Sequence, residues 1–216
     1  MLALGLLKPF LGKPIIAYSI ELALNSGMFD EVMISTDDDE IAELAKKYGA
    51  KVPFLRSEKN SDDYATTFDV IHEVLSTYKN ENIFFDYGCC IYPTAPFVDN
   101  NKLKEAFNLL LKEDFDCVFP VMKFGFPIQR SVRVDENSKK IEMLYPEHLN
   151  TRSQDLEPIF HDAGQFYAFN TEKLLKEKKL WTNNTGVIKI DELEGQDIDN
   201  EVDWKLAELK FQLYKS

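Results

Sequence analysis

The run EVMISTDDDEIAELAKKYG (Glu31–Gly49) decides the fold class. Its first six residues are short, mostly apolar and strand-like. The residues that follow repeat Ile41, Leu44, Ala45 and Tyr48 at helical spacing. Asp37 with Glu40 has the form of a capping box, and Gly49 is a stop signal. AKVPFL (Ala50–Leu55) is extended again. Strand, helix and strand in quick succession make a βαβ unit, and that rhythm continues along the chain.

Upstream, Pro14 to Ser26 reads as a helix ended by Gly27. Downstream, Thr66 or Thr67 caps a helix carrying Val70, Ile71, Val74, Leu75 and Tyr78. YGCCIYP (Tyr87–Pro93) and DCVFPVM (Asp116–Met122) are buried strands, separated by a helix marked by Leu103, Phe107 and Leu110. GQFYAFN and GVIKI are two more strands. The closing helix, after Asn200, is expected to bury Val202, Leu206, Leu209 and Leu213. This alternation predicts an α/β fold with a mainly parallel sheet covered on both faces. Only the segment after Phe124 breaks the pattern. QRSVRVDENSKKIEMLYP (Gln129–Pro146) reads as two antiparallel strands around a polar turn. One domain over 1–216, with an inserted arm at about 125–150, is the parse.

The chain has 216 residues, 44% of them apolar and 16 of them Phe, enough for one sizeable core. Its net charge of -12 argues against nucleic acid or an anionic membrane as partner. No apolar run reaches the roughly 18–20 residues of a spanning helix. Cys89, Cys90 and Cys117 form no metal-binding spacing. They read as buried thiols of a reducing, cytoplasmic compartment.

Four stretches carry chemistry. In GQDIDNEVDW, Asp197 and Asp199 flank Ile198. In an extended segment they share one side, about 6.6 Å apart, while Ile198 points inward. Two hard oxygen donors on one face suit Mg²⁺. A solvated strand end, or Asp199 as cap of the last helix, is the plainer reading. NTRSQDLEPIFHDAGQFY (Asn150–Tyr167) packs Arg152, Gln154, Asp155, Glu157, His161, Asp162 and Gln165 into one loop. There Arg152 offers a planar fork for a carboxylate or phosphate, and a surface loop stitched by local hydrogen bonds is the equal alternative. IYPTAPF follows a strand end, where open α/β sheets bind ligands, and its prolines make a rigid rim, though a stiff turn is the plainer reading. Arg56 sits at another strand end and, alone, reads as a solvated arginine.

Together with KPFLGKPIIAYSI, STDDDEIAELAKKYGA and PFLRSEKNSDDYATT, these stretches resemble the cytidylyltransferases that activate nonulosonic acids. The resemblance runs from Lys8 to about Tyr214 and is strongest to the branch acting on pseudaminic acid. Sialic-acid relatives carry a glutamine where this chain has Tyr92. The resemblance implies a three-layer, Rossmann-like nucleotide-sugar transferase fold and a homodimer built through the arm. It also implies Mg²⁺-dependent transfer from CTP to a nonulosonic acid, serving glycosylation of flagella or cell-surface glycans. Sialic, legionaminic and Kdo-activating relatives are the alternatives.

By the same resemblance, Asp197 and Asp199 hold the metal and are catalytic. Arg56, Thr67, Tyr92 and Pro93 bind the nucleotide. Arg152, Gln154, His161, Gln165 and Tyr167 bind the sugar acid, with Tyr167 and Phe166 offering it apolar surface. The family also opens with a strand and a phosphate loop resembling A-R-x-x-S-K. Here MLALGLL precedes Lys8, so a chain limited to this sequence is expected to be a weak catalyst or a binding homologue.

Overall fold

A computed structural model describes residues 2–62 and 64–215. In chain order, its elements begin with α1 (Leu2–Leu7), β1 (Pro9–Phe10), β2 (Lys13–Pro14), α2 (Ile15–Ser26), α3 (Asp39–Lys47) and α4 (Thr67–Asn80). Then come β3 (Tyr87–Ile91), α5 (Asn100–Lys112), β4 (Cys117–Lys123), β5 (Val132–Val134) and β6 (Ile141–Met143). The chain closes with β7 (Phe160–Asp162), β8 (Phe166–Asn170), α6 (Thr171–Glu177), β9 (Thr185–Ile190) and α7 (Glu201–Lys215).

The central sheet has five strands and is mixed. β4 and β9 are parallel, while β8 runs antiparallel between β3 and β4, and β7 continues along the same edge of β4. β8 can reverse direction because the chain reaches it through the arm and β7 and not through a crossover helix. Strand alternation splits the core into two layers. Val118, Phe166 and Ala168 pack with α5, whereas Cys117, Phe119, Tyr167 and Phe169 pack with Ile71 of α4 and Leu174 of α6. Phe166 therefore lies on the opposite face from Tyr167 and is fully buried, so it offers no surface to a ligand beside Tyr167.

The two stretches read as the first strands, Glu31–Thr36 and Ala50–Leu55, run side by side but make only one parallel bridge, Met33 to Lys51. Lys51 N–H donates to Val32 O, and Ile34 N–H donates to Lys51 O, both at 2.9 Å. The next rung of a parallel ladder needs an N–H from residue 53. Pro53 has none, and the ladder stops. The connecting α3 is capped by Asp38, whose carboxylate accepts from Glu40 and Ile41 N–H, one residue later than the sequence suggested. α4 has the expected Thr66 cap, in a capping box with Asp69.

The last helix corrects a second expectation. Val202, Leu206, Leu209 and Leu213 are exposed. The buried stripe is Trp204 and Ala207, with Phe211 and Tyr214 packed beside them against Phe10 and Phe97. Both stripes have helical spacing. The aromatic one wins because each ring buries more apolar area than a leucine.

The arm is the antiparallel hairpin read from the sequence, β5 pairing β6 from Val132–Met143 to Val134–Ile141. Cys89 and Cys90 face opposite layers as expected. Burial pushes the Cys90 and Cys117 thiols up to about 12 and the Cys89 thiol well above its ordinary value. Among the described residues, no helix is long and apolar enough to cross a membrane.

Candidate active site

The carboxyl ends of β3, β4 and β9 open at one edge of the sheet. The register fixes what meets there. Ile91 pairs with Phe166, so the residue after β3, Tyr92, meets the residue before β8, Gln165. Tyr92 N–H donates to Gln165 O at 2.8 Å. Met122 pairs with both His161 and Ile190, so β7 and the end of β9 flank β4 at the same level.

A chain of side chains crosses this edge. Because Thr66 provides the cap, the Thr67 hydroxyl at the start of α4 is left for another partner. It lies 2.8 Å from the Tyr92 hydroxyl. The Tyr92 ring packs edge-on at 5.6 Å from the buried Tyr167 ring, which also contacts Phe119. The Tyr167 hydroxyl donates to Asp162 Oδ2. Burial first, and then this bond to a carboxylate, raise the Tyr167 pKa, so the phenol stays protonated. Gly164 N–H donates to Asp162 Oδ1 at 2.9 Å.

The acid pair stands beside this chain. Ile198 is buried against Phe10, Ile15 and Trp204, while Asp197 and Asp199 on either side are exposed, Asp199 already in the bend that leads into α7. Asn200, not Asp199, caps α7, accepting from Val202 and Asp203 N–H. Among the described residues, neither carboxylate of the pair has an ion-pair partner. Partial burial, then the charges of Asp199, Asp203 and Asp162, raise the Asp197 pKa above the ordinary 3.8. Two uncompensated hard oxygen donors flanking one buried residue are a donor set that fits Mg²⁺. Among the described residues no cluster of three or more acidic, His or Cys groups makes a metal cage, so the remaining ligands would be water and substrate oxygens.

The other sequence-derived residues divide. Arg56 donates to Asp37 Oδ1 at 3.2 Å, and its buried Nε has no hydrogen-bond partner. Pro93 begins the turn after Tyr92. Arg152 is exposed, and its fork is engaged with Asp155 at 2.6 and 3.2 Å. Gln154 is exposed in the same short turn. His161 Nδ1 lies 2.8 Å from Asp162 O, and its ring packs on Phe124.

Gln165 is buried, and its amide nitrogen donates to Glu194 O at 2.6 Å. It thus ties the Tyr92 turn to the segment leading into Asp197. Lys8 pairs with Glu201 and lies over the Trp204 ring, while Lys13 pairs with Glu21 and lies over Tyr18. Sequence reasoning gave no role to Asp162 or Gly164. The signal available was the Asp-x-Gly spacing just before a buried tyrosine.

The comparisons give this edge its context. A family model described as cytidylyltransferase matches residues 6–199. The chain belongs to the cytidylyltransferase family. A pseudaminic acid cytidylyltransferase of Campylobacter jejuni is 39% identical over 94% of this chain and 88% of that protein. A CMP-N,N'-diacetyllegionaminic acid synthase of Legionella pneumophila is 31% identical over 94% of this chain and 87% of that protein. The structure of a CMP:2-keto-3-deoxy-manno-octonic acid synthetase complexed with CTP superposes with a TM-score of 0.67. It covers 98% of this chain and 92% of that one at 14% identity, which is a likeness of fold. This cytidylyltransferase fold therefore carries its aromatic chain and acid pair at the sheet edge where α/β proteins bind ligands.

Proposed function

We propose that this cytidylyltransferase activates pseudaminic acid with CTP, giving CMP-pseudaminic acid and pyrophosphate. The observation that carries the reading is the uncompensated Asp197/Asp199 pair at the carboxyl edge of a sheet in this family. The pseudaminic acid relative, at 39% identity over nearly the whole chain, supports that substrate over the more distant legionaminic one.

The reaction is an in-line displacement. An oxygen of the sugar acid's anomeric hydroxyl forms a bond to the α-phosphorus as the bond to pyrophosphate breaks, and the hydroxyl proton is released. Asp197 and Asp199 are the residues to hold a Mg²⁺. Bound there, the ion supplies charge neutralisation and alignment of phosphate oxygens. Ile198, anchored in the core, keeps the two carboxylates aimed outward. Thr67 and Tyr92 form the wall assigned to the nucleotide, Pro93 follows in the same turn, and Arg56 is assigned to the nucleotide as well. Tyr167, buried behind Tyr92, acts on the sugar-acid side by backing the wall rather than by offering it surface, and Arg152 takes the sugar acid's carboxylate by exchanging Asp155 for the ligand.

Asp155 occupies the planar Arg152 fork until an anion competes for it. A homodimer joined through the arm is part of the proposal, since Val132, Val134 and Ile141 of the hairpin are exposed. So is a cytoplasmic location. Pyrophosphate release that requires CTP, the sugar acid and Mg²⁺ together tests the reading. Release without the sugar acid, or none with all three, counts against it.

A further inference from the structure

Asp162 belongs to neither the nucleotide nor the sugar assignments, yet it is the only described side chain bonded to both the Tyr167 phenol and the turn beside Asp197. Its Oδ2 accepts from Tyr167 O–H and its Oδ1 from Gly164 N–H. Gly164 sits in the left-handed region at φ 62°, and a Cβ built on it would lie 3.9 Å from Asp197 Oδ1. The Gly164 turn thus lies between the Asp162 and Asp197 carboxylates. Asp162 itself is pinned on β7, opposite Val121 of β4, so it cannot drift with the loop.

We infer that Asp162 is a positioning residue that sets the cation affinity of the Asp197/Asp199 end of the site and joins it to the aromatic wall. The inference rests on the proposed cation role of Asp197 and Asp199. Two effects act in one direction. The Asp162 negative charge lies across the Gly164 turn from Asp197 and favours a cation there. Its Oδ1 holds the Gly164 turn, which passes beside the Asp197 carboxylate.

A neutral isostere cannot do both. In Asp162→Asn the amide oxygen can accept from Tyr167 or from Gly164. With that oxygen on Gly164 N–H, the amide nitrogen can donate to the Tyr167 hydroxyl oxygen, which is both donor and acceptor, so both bonds survive in that orientation and the charge alone is lost. Tyr167→Phe removes only the phenol bond and leaves the charge and the turn. The two variants separate the charge from the wall.

The test is Mn²⁺ binding to the full chain, read as free Mn²⁺ by electron paramagnetic resonance, together with the kcat and KM of each variant. The wild type binds Mn²⁺, and Asp199→Asn abolishes the binding. Asp162→Asn weakens it about tenfold, as expected when an outer partner of a metal ligand is lost. It also lowers kcat more than it raises the KM for CTP. Tyr167→Phe keeps wild-type Mn²⁺ affinity and raises the KM for the sugar acid.

Wild-type affinity in Asp162→Asn, or equal weakening in Tyr167→Phe, overturns the inference and leaves the cation reading standing. Absence of binding in the wild type overturns both. If circular dichroism shows Asp162→Asn unfolded, Gly164→Ala takes its place. That variant keeps every carboxylate and strains only the turn, so it must also weaken Mn²⁺ binding; unchanged affinity overturns the inference.

Discussion

The Tyr92 hydroxyl stands 2.8 Å from Thr67 Oγ1, tying the turn after β3 to the first residue of α4. That bond closes one end of a path that continues through the Tyr167 ring to Asp162. Tyr92→Phe keeps the ring contact and removes the bond. The expected cost is about 1 kcal/mol of stability, measured by urea unfolding, with a several-fold rise in KM for CTP. A rise confined to the sugar acid moves Tyr92 out of the nucleotide wall.

Asp197 carries a raised pKa, caused first by partial burial and then by neighbouring carboxylates. For an acid whose folded pKa lies above its unfolded value, the folded state holds more protons between the two. Stability from this group therefore falls as pH rises from about the ordinary 3.8 through the raised value. Without divalent cation, Asp197→Asn should melt higher than wild type at pH 7 and equal to it near pH 3. Adding Mg²⁺ should raise the wild-type melting temperature and leave the variant unmoved. A variant that melts lower at pH 7 contradicts this account of Asp197.

Arg152 is tested by separating kinetics from stability. Its pairing with Asp155 is exposed, so Arg152→Lys should change stability by no more than about 0.5 kcal/mol. Its KM for the sugar acid should rise far more than that for CTP, because a point charge cannot replace a two-pronged fork. Equal rises for both substrates would move Arg152 to the nucleotide.

The two faces of α7 make opposite predictions. Trp204 is buried against Phe10, at 5.7 Å between rings, whereas Leu209 is exposed. Trp204→Ala should cost roughly 3–5 kcal/mol, and Leu209→Ser should stay within about 0.5 kcal/mol. Guanidinium unfolding of the two variants decides, and a large loss from Leu209→Ser would show that this face is covered in solution.

The α/β class was legible because helical and strand periods alternate without a linker, and the caps at Thr66 and Gly27 fall where the residue types put them. The direction of β8 was not legible. Alternation shows that GQFYAFN is a strand but not which neighbour it pairs with. The α7 face was misread because two stripes share one spacing, and only the rings of Phe10 and Phe97 show which is wanted. In the site, the Asp197–Ile198–Asp199 alternation was legible from period alone. The role of Asp162 was not, since it depends on the turn at Gly164 and on a tyrosine five residues later folding back onto it. Gln165 was expected at the sugar, yet its side-chain nitrogen serves Glu194, a partner 29 residues away that sequence does not reveal.

The most direct measurement is a competition. The chain is incubated with CTP, Mg²⁺ and equal amounts of pseudaminic, sialic, legionaminic and Kdo acids, and the CMP-sugars are resolved by mass spectrometry. The account predicts CMP-pseudaminic acid as the main product, formed with one pyrophosphate per molecule and lost in Asp199→Asn. A different CMP-sugar as the main product, or undiminished product from Asp199→Asn at saturating Mg²⁺, would contradict it.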